Sequence, residues 1–552
     1  MTDGATAQTG IETGAPRVAV VGGGLAGISA ALACADAGAQ VTLFEKRARL
    51  GGLTWSFTHD GLVMDNGQHV FLRCCTSYLD FLDRIGSTGD VELQERMDVT
   101  VFRSKAFPSN TAVNAVEKGV LRRDRLIAPL HLGRSLLGYG LIPFKARLRL
   151  GPAALALSRL DLDDPALDEQ TFASWLARHG QSEAAVSALW DLICLPTVNL
   201  PAAEASLSMA AKVFQTGLLT EASAADIGWS RVPLGVLHGE RSASALRQAG
   251  VEVRLGEPVI AIDVAGRDRG DEAGATPRYP FEVQTASGRA GAHGVVVALP
   301  HYCTEDVLPE GALPEPVRPS RLGSSPIVNV HVHFDRRVTE LAFLAGLGTE
   351  AQWIFDRTAS SGAGTGQYLA VSISAADSCI GTRPEDLAPQ VVASLRALLP
   401  PARDAKVLGT LVTREHHATF RATPGSAVHR APARTRIPGL VLAGAWTATG
   451  WPPTMEGAVR SGINAARAVL VRVGRRDAAP PLPKEANTVT RADLGANGWS
   501  RKPPSRQSRA GAQSRAGAQS RAGGKREVAE VRAGQEATAS ALSQLSNLEE
   551  VV

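Results

Sequence analysis

The sequence predicts an α/β fold in which a Rossmann-type dinucleotide-binding domain is interleaved with a mixed α+β substrate domain. Near the amino terminus, an apolar strand runs directly into a glycine-rich turn and a helix. A second short apolar strand leads into another glycine-rich turn near residue 444. Helical and strand-like patterns alternate between these two signals, as expected when two domains share one chain. The 552 residues are long enough for both domains and a tail.

The first glycine-rich turn has the spacing of a dinucleotide site. Gly22 allows a tight turn, Gly24 lets backbone amides approach a pyrophosphate, and Gly27 lets the helix pack closely on the strand. The helix amino terminus places its positive dipole end at the phosphates. Glu45 ends a second strand 18 residues after Gly27, where an acid accepts hydrogen bonds from a ribose. A glycine triplet alone would be weak, but strand, helix, second strand and acid occur together here.

The residues after Glu45 indicate which dinucleotide binds. A basic segment containing Lys46 and Arg47 precedes the pair Gly51-Gly52. This continuation resembles the amine-oxidase and phytoene-desaturase-like superfamily, in which such a glycine pair lets the chain pass the FAD pyrophosphate and ribityl group. The resemblance therefore implies FAD as the cofactor. The sequence departs from it at Leu53, where the family often has Arg.

The segment around residue 444 resembles the carboxy-terminal flavin motif of the same superfamily. There a helix amino terminus faces the flavin pyrimidine end and stabilises negative charge on it. Ala445 stands where the family usually has an acid. A further strand resembles the segment whose backbone meets the adenine, although an ordinary β-strand explains it almost as well. The residues assigned to FAD on these grounds are Val259, Gly444, Met455, Glu456, Gly457 and Ala458.

The run Asp65-Asn-Gly-Gln68-His69 narrows the resemblance. With the helical patterns after Trp175 and Leu189, it is similar to the squalene-associated FAD-dependent desaturases, also described as hydroxysqualene dehydroxylases of squalene and hopanoid biosynthesis. The resemblance covers residues 17–470 and implies reduction of an allylic C–O bond, a step that needs an acid to protonate the leaving oxygen. We expect His69 and Asp65 nearest that oxygen, with Gln68 as an orienting donor. An equally good interpretation is that His69 and Gln68 only line the flavin and that Asp65 caps a turn.

The same resemblance, together with composition and charge, predicts the partners and the location of the protein. The resemblance implies a long isoprenoid substrate and an external electron donor. Basic residues alternate with Leu, Ile and Phe over residues 120–160, which suits peripheral contact with anionic lipid as well as an ordinary amphipathic helix. A net charge of +4 gives no indication of nucleic acid, and no metal-ligand spacing is present. Six scattered cysteines, the absence of a secretory signal pattern and the lack of a long apolar run predict a cytoplasmic protein. The basic, apolar segment leaves open a peripheral location at the inner face of the membrane.

The patterns also predict where the domains begin and end. Low-complexity composition and a repeated Ser-Arg-Ala-Gly-Ala-Gln hexapeptide predict a disordered tail. The predicted segments are a disordered leader (1–16), FAD-binding parts (17–110, 251–310 and 426–474), a mostly helical substrate or membrane-facing part (111–250), a β-rich substrate part (311–425) and the tail (475–552).

Two other functional classes stay open at this point. The flavin motifs do not distinguish hydride donation from hydride removal, so an oxidative carotenoid-type desaturase or an amine oxidase is the main alternative. A non-catalytic flavin-binding protein is the third, and the departures at Leu53 and Ala445 are what would support it.

Overall fold

A computed structural model describes residues 14–104, 116–265 and 279–483. The predicted leader and tail lie almost entirely outside these residues. The helices are α1 (Leu25–Asp36), α2 (Thr76–Arg84), α3 (Gly133–Gly138), α4 (Phe144–Leu157), α5 (Phe172–Arg178), α6 (Glu183–Ala185), α7 (Asp191–Val198), α8 (Leu207–Phe214), α9 (Arg241–Gln248), α10 (Thr358–Ser361), α11 (Pro384–Leu398) and α12 (Met455–Arg472).

The described strands group into five sheets. They are β1 (Arg17–Val21), β2 (Gln40–Glu45), β3 (Ser56–His59), β4 (Leu62–Asp65), β5 (Val70–Leu72), β6 (Val91–Leu93), β7 (Asp98–Ser104), β8 (Val116–Arg122), β9 (Ile227–Ser230), β10 (Glu252–Leu255), β11 (Val259–Val264), β12 (Phe281–Thr285), β13 (Gly288–Ala292), β14 (Gly294–Val297), β15 (Ser324–Phe334), β16 (Phe343–Leu347), β17 (Trp353–Asp356), β18 (Gln367–Ser374), β19 (Val407–Phe420) and β20 (Leu440–Leu442).

The predicted dinucleotide domain is built on a five-stranded sheet in the order β10-β2-β1-β14-β20. All of its strand pairs are parallel. Its central strands are apolar runs, as expected for a parallel sheet covered on both faces. Its strands come from three separated stretches of chain, so the interleaved α/β fold is confirmed.

The second domain contains a seven-stranded sheet in the order β19-β15-β18-β17-β16-β7-β8. Val328, Val330 and Val332 on β15 pack in a core that includes residues of α11. The intervening side chains of β15 lie on the other face, where Asn329 donates a hydrogen bond to the backbone of Asn66. The alternation of β15 therefore places polar groups against the Asp65–His69 segment.

The first predicted boundary between the domains, at residue 110, lies too far along the chain. The strand β7 pairs in parallel with β16 and antiparallel with β8, so both β7 and β8 belong to the seven-stranded sheet. The predicted helical region 111–250 does contain α3 to α9, but β8 and β9 also lie within it.

The helices α1 and α12 pack closely against each other. A Cβ added at Gly462 on α12 would lie 2.2 Å from the carbonyl oxygen of Ala26 on α1. A side chain at this position would separate the two helices that follow the two glycine-rich turns.

Candidate flavin site and substrate cavity

The glycine-rich turn after β1 is closed by contacts that exclude side chains. Gly22 has a φ of 108°, a conformation that favours glycine. A Cβ added at Gly27 would lie 1.9 Å from the carbonyl oxygen of Gly22. Gly24 is the N-cap of α1, and its helix has neither a capping side chain nor an acid in its first turn. The first amides of α1 are therefore open to an anionic ligand.

Glu45 lies at the carboxyl end of β2, beside this turn. One carboxylate oxygen accepts a 2.6 Å hydrogen bond from the amide of Gly23, and the other accepts a 2.8 Å bond from the amide of Arg47. Its side chain is buried. The two amides hold the carboxylate in a single orientation at the end of the strand, the position predicted for a ribose contact.

The pair Gly51-Gly52 packs against the first glycine-rich turn. The amide of Gly51 donates to the carbonyl of Gly23 at 2.9 Å, and a Cβ added at Gly52 would lie 2.9 Å from the Cα of Gly24. The side chains of Lys46 and Arg47 are exposed. Both glycine segments therefore approach each other along their backbones, as the resemblance implies.

Arg49 is a candidate residue that the sequence reasoning missed. Its Nη1 donates to the carbonyl of Gly52 at 3.0 Å, and its guanidinium lies 4.2 Å from the ring centroid of Trp55. Burial is the first cause that lowers the pKa of Arg49 to about 10, followed by the nearby charge of Arg47. This cation lies next to the position where Leu53 departs from the family pattern. In the sequence, the position of Arg49 four residues after Glu45 could have indicated this role.

Val259 reaches the same region by a separate route. The amide of Glu257 donates to the carbonyl of Glu45 at 3.0 Å, and β11 begins two residues later at Val259. The chain between β10 and β11 is thereby joined to the end of β2.

The second glycine-rich loop is organised by the buried side chain of Arg430. Its guanidinium donates to four backbone carbonyls of the loop, at distances from 2.7 to 3.4 Å. Burial lowers the pKa of Arg430 to about 10. Its carbonyl partners are Ala445, Trp446, Thr447 and Trp451. Sequence reasoning missed Arg430 because no local motif marks it.

Two hydrogen bonds fix the start of the second glycine-rich loop. The amide of Gly444 donates to Oγ of Ser461 at 2.8 Å, and Nε1 of Trp446 donates to the carbonyl of Leu299 at 2.9 Å. Trp446 and Trp451 are both buried in hydrophobic cores. Their rings serve core packing rather than an exposed cavity wall.

The amino terminus of α12 has a side-chain cap and a displaced acid. Thr454 accepts a hydrogen bond from the amide of Gly457 at 3.2 Å. The carboxylate of Glu456 turns away to α2, where it accepts bonds from the amides of Ser77 and Tyr78 at 3.2 and 2.6 Å. It also pairs with Arg460 at 2.6 Å. Glu456 can therefore contact a cofactor only through its backbone, whereas Met455 and Ala458 remain partly exposed in the first turn.

The predicted catalytic residues share one cavity. It is lined by Asp65, Gln68, His69, Val70, Trp229, Ser230, Leu234, Ala342, Phe355, Asp356 and Arg357. Nδ1 of His69 lies 3.2 Å from the carbonyl of Gly67. A carbonyl only accepts hydrogen bonds, so this contact selects the tautomer with hydrogen on Nδ1 and leaves Nε2 available to a ligand. Burial is the main cause that lowers the pKa of His69, outweighing the opposing effects of Gly67 and Asp65.

Asp65 is occupied by partners within the protein. Its carboxylate pairs with the buried Arg357 at 3.0 Å and accepts bonds from Oγ of Ser56 at 2.7 Å and the amide of Leu234 at 2.8 Å. Arg357 also donates to the carbonyl oxygens of Ser230 and Val232. These contacts engage both carboxylate oxygens and fix the end of β4.

The buried polar atoms that have no partner among the described residues include Nε2 of Gln68 and Oδ1 of Asn329. The amide of Asn329 lies next to Gly67, because a Cβ added at that glycine would be 3.3 Å from Nδ2 of Asn329. Buried polar groups are rarely left unsatisfied, so both atoms are candidates for hydrogen bonds to a ligand.

The geometry described above defines a FAD-dependent oxidoreductase of the two-dinucleotide-motif type. The family described as flavin containing amine oxidoreductase matches residues 25–470. The chain belongs to this family, and FAD is its cofactor. The open first turn of α1 and the close-packed glycine turns fit the pyrophosphate of that cofactor.

Hydroxysqualene dehydroxylases and zeta-carotene desaturases are among the proteins similar to this chain. Hydroxysqualene dehydroxylase from Rhodopseudomonas palustris is 28% identical over 468 residues, and that from Zymomonas mobilis is 26% identical over 458. A probable zeta-carotene desaturase from Synechococcus elongatus is 25% identical over 495 residues. Each match covers 82% of this chain and 98% of the relative.

A solved structure supports the fold. Cyclohexylamine oxidase from Brevibacterium oxydans superposes with a TM-score of 0.60 at 21% identity, covering 83% of this chain and all of that one. Among the described residues, no helix is long and apolar enough to cross a membrane, and no group of three or more His, Cys, Asp or Glu side chains is placed to hold a metal ion.

Proposed function

We propose that this enzyme reduces hydroxysqualene to squalene, a step of bacterial squalene and hopanoid biosynthesis. The observation that carries the proposal is that His69 and Gln68 line one small cavity, of about 10 Å³, together with Trp229 and Phe355. Departure of an allylic hydroxyl needs a proton donor at oxygen and an environment that tolerates developing positive charge on carbon. The similarity to two hydroxysqualene dehydroxylases adds support.

Different side chains have different roles in this proposed reaction. His69, when protonated, donates a proton from Nε2 to the leaving hydroxyl, which departs as water as the C–O bond breaks. The amide of Gln68 orients that oxygen through its Nε2 hydrogens. The rings of Trp229 and Phe355, which line the same cavity, would stabilise positive charge on the allylic carbon by a cation–π interaction.

Asp65 is assigned a positioning role instead of proton donation. Its pairing with Arg357 fixes the end of β4, four residues before His69. When bound in its reduced form, FAD would supply the hydride that replaces the hydroxyl, and an external electron donor would restore that form.

An oxidative desaturation of a polyisoprenoid is the second candidate. The similarity to the zeta-carotene desaturase of Synechococcus elongatus has the same coverage as that to the dehydroxylases. Such a reaction needs no proton donor at an oxygen, so His69 distinguishes the two candidates.

Anaerobic incubation with chemically reduced FAD and hydroxysqualene tests the proposal, with products identified by gas chromatography–mass spectrometry. We expect squalene only when the flavin is reduced. The variant His69→Gln should lose about 100-fold or more in kcat, whereas His59→Gln, which changes a half-exposed histidine, should not. A flavin that reduces normally but yields no squalene would refute the proposal. Formation of a new C=C bond in a polyisoprenoid by the oxidised enzyme, with reduction of its flavin, would then support desaturation.

A further inference from the structure

An exposed apolar surface lies on the helical part of the second domain. Its side chains are between 45% and 76% exposed, although they are of the size that is normally buried. We define the apolar surface by Leu126, Ile127, Leu130, Leu137, Phe144, Leu148 and Leu155.

The members of this surface lie close together in the fold. Phe144, Leu148 and Leu155 are spaced by four and seven residues, which places them on one side of α4. Arg147 joins α4 to α3, because its guanidinium lies 5.6 Å from the ring centroid of Phe144 and donates to the carbonyl of Leu137. The turn that ends at residue 132 leads directly into α3. Leu126, Ile127 and Leu130, which lie in or just before this turn, therefore continue the same surface.

The segment that carries the apolar surface has a net positive charge, although Asp124 lies directly before it and Asp161 shortly after it. Residues 125–159 contain six Arg or Lys and no Asp or Glu. Across the described part of the chain, no carboxylate forms an ion pair with any of these six; they are Arg125, Arg134, Lys145, Arg147, Arg149 and Arg159. By contrast, the preceding Arg122 and Arg123 are paired with Asp98 and Asp226.

We propose that this surface docks the enzyme on a lipid bilayer that contains anionic headgroups. Apolar side chains of this size enter the boundary between headgroups and acyl chains, and the interspersed cations lie at the level of the lipid phosphates. A second copy of the chain is a poor occupant, because a symmetric contact would bring like charges together. The inference rests on the surface alone and does not depend on the proposed function.

Vesicle co-sedimentation of the full-length, FAD-loaded protein tests the inference. The probes are phosphatidylcholine vesicles and phosphatidylcholine–phosphatidylglycerol vesicles. The charge variant Arg134→Gln/Lys145→Gln/Arg149→Gln should bind the anionic vesicles on the order of a hundredfold more weakly, at about fivefold for each charge. The apolar variant Ile127→Ser/Phe144→Ser/Leu148→Ser should lose a similar factor on both kinds of vesicle.

A matched control removes an apolar side chain elsewhere. Leu408 is 49% exposed on β19, and Leu408→Ser should leave vesicle binding unchanged. Flavin content and circular dichroism verify that each variant is folded. Vesicle binding that survives in both triple variants would overturn the inference. So would a dimer in the absence of lipid that the apolar variant converts to a monomer, because the surface would then join two copies of the chain.

Discussion

The ion pair between Asp65 and Arg357 offers a direct test of how the cavity is held together. Both side chains are buried, at 5% and 8% exposure. Arg357→Met keeps much of the aliphatic volume but leaves the carboxylate without its cation. Removing one partner of a buried pair typically costs about 3–5 kcal/mol, because the remaining charge stays desolvated. The amide of Leu234 and the hydroxyl of Ser56 still donate to the carboxylate, so we expect about 3 kcal/mol, the lower end of this range.

The double variant Asp65→Asn/Arg357→Met removes both charges. We expect it to be more stable than Arg357→Met by about 2 kcal/mol, since no ion remains buried. The control Arg337→Met breaks an exposed pair with Glu340 and a longer contact, 3.8 Å, with Asp356; since Arg337 is 56% exposed, we expect a loss of less than about 1 kcal/mol.

Urea unfolding followed by tryptophan fluorescence, at one saturating FAD concentration, measures these differences in the free energy of unfolding. Equal destabilisation by Arg357→Met and Arg337→Met would show that the buried pair has no special weight. A double variant no more stable than Arg357→Met would show that the cost does not come from an unpaired charge.

Three further outcomes follow from the site. Burial lowers the pKa of His69, so kcat/KM for hydroxysqualene should fall as the pH rises through a midpoint below about 6.5. A pH profile that is flat from about pH 5 to 8 would exclude His69 as the proton donor. Gly27→Ala should abolish flavin absorbance in the purified protein because its Cβ would overlap the carbonyl of Gly22, whereas Gly89→Ala, with open space around it, should retain FAD. Arg430→Lys keeps the charge but loses the planar fork, so FAD should bind at least about tenfold more weakly in fluorescence titrations; unchanged affinity would rule out this role for the side chain.

The dinucleotide site was predictable because its signal is local. The turn from Gly22 to Gly27 and the acid Glu45 lie within one strand–helix–strand unit, and each glycine answers a steric demand of that unit. Asp65 and His69, which the family resemblance singled out, belong to a single short run and line the same cavity.

Partners that are distant in sequence were not predictable. Arg357 meets Asp65 across 292 positions, and nothing near either residue indicates the other. Glu456 was assigned to the cofactor by its motif, yet its carboxylate is used by α2, which precedes it by nearly 380 residues. The early boundary was misplaced for the same reason, because the partner of β7 is β16, far along the chain.

The order of strands in the parallel sheet has a consequence for biosynthesis. The strand β20 occupies one edge of the sheet that β1 begins, and its residues are translated more than 400 positions after β1. At roughly 10 residues per second, β1 and α1 wait on the order of 40 s for the last strand of the sheet and for α12. During that interval the face of α1 that will receive α12 is uncovered, and the edge of β14, once made, waits about 14 s for β20. The ribosome-bound chain is therefore a natural substrate for chaperones until its carboxy-terminal flavin segment emerges.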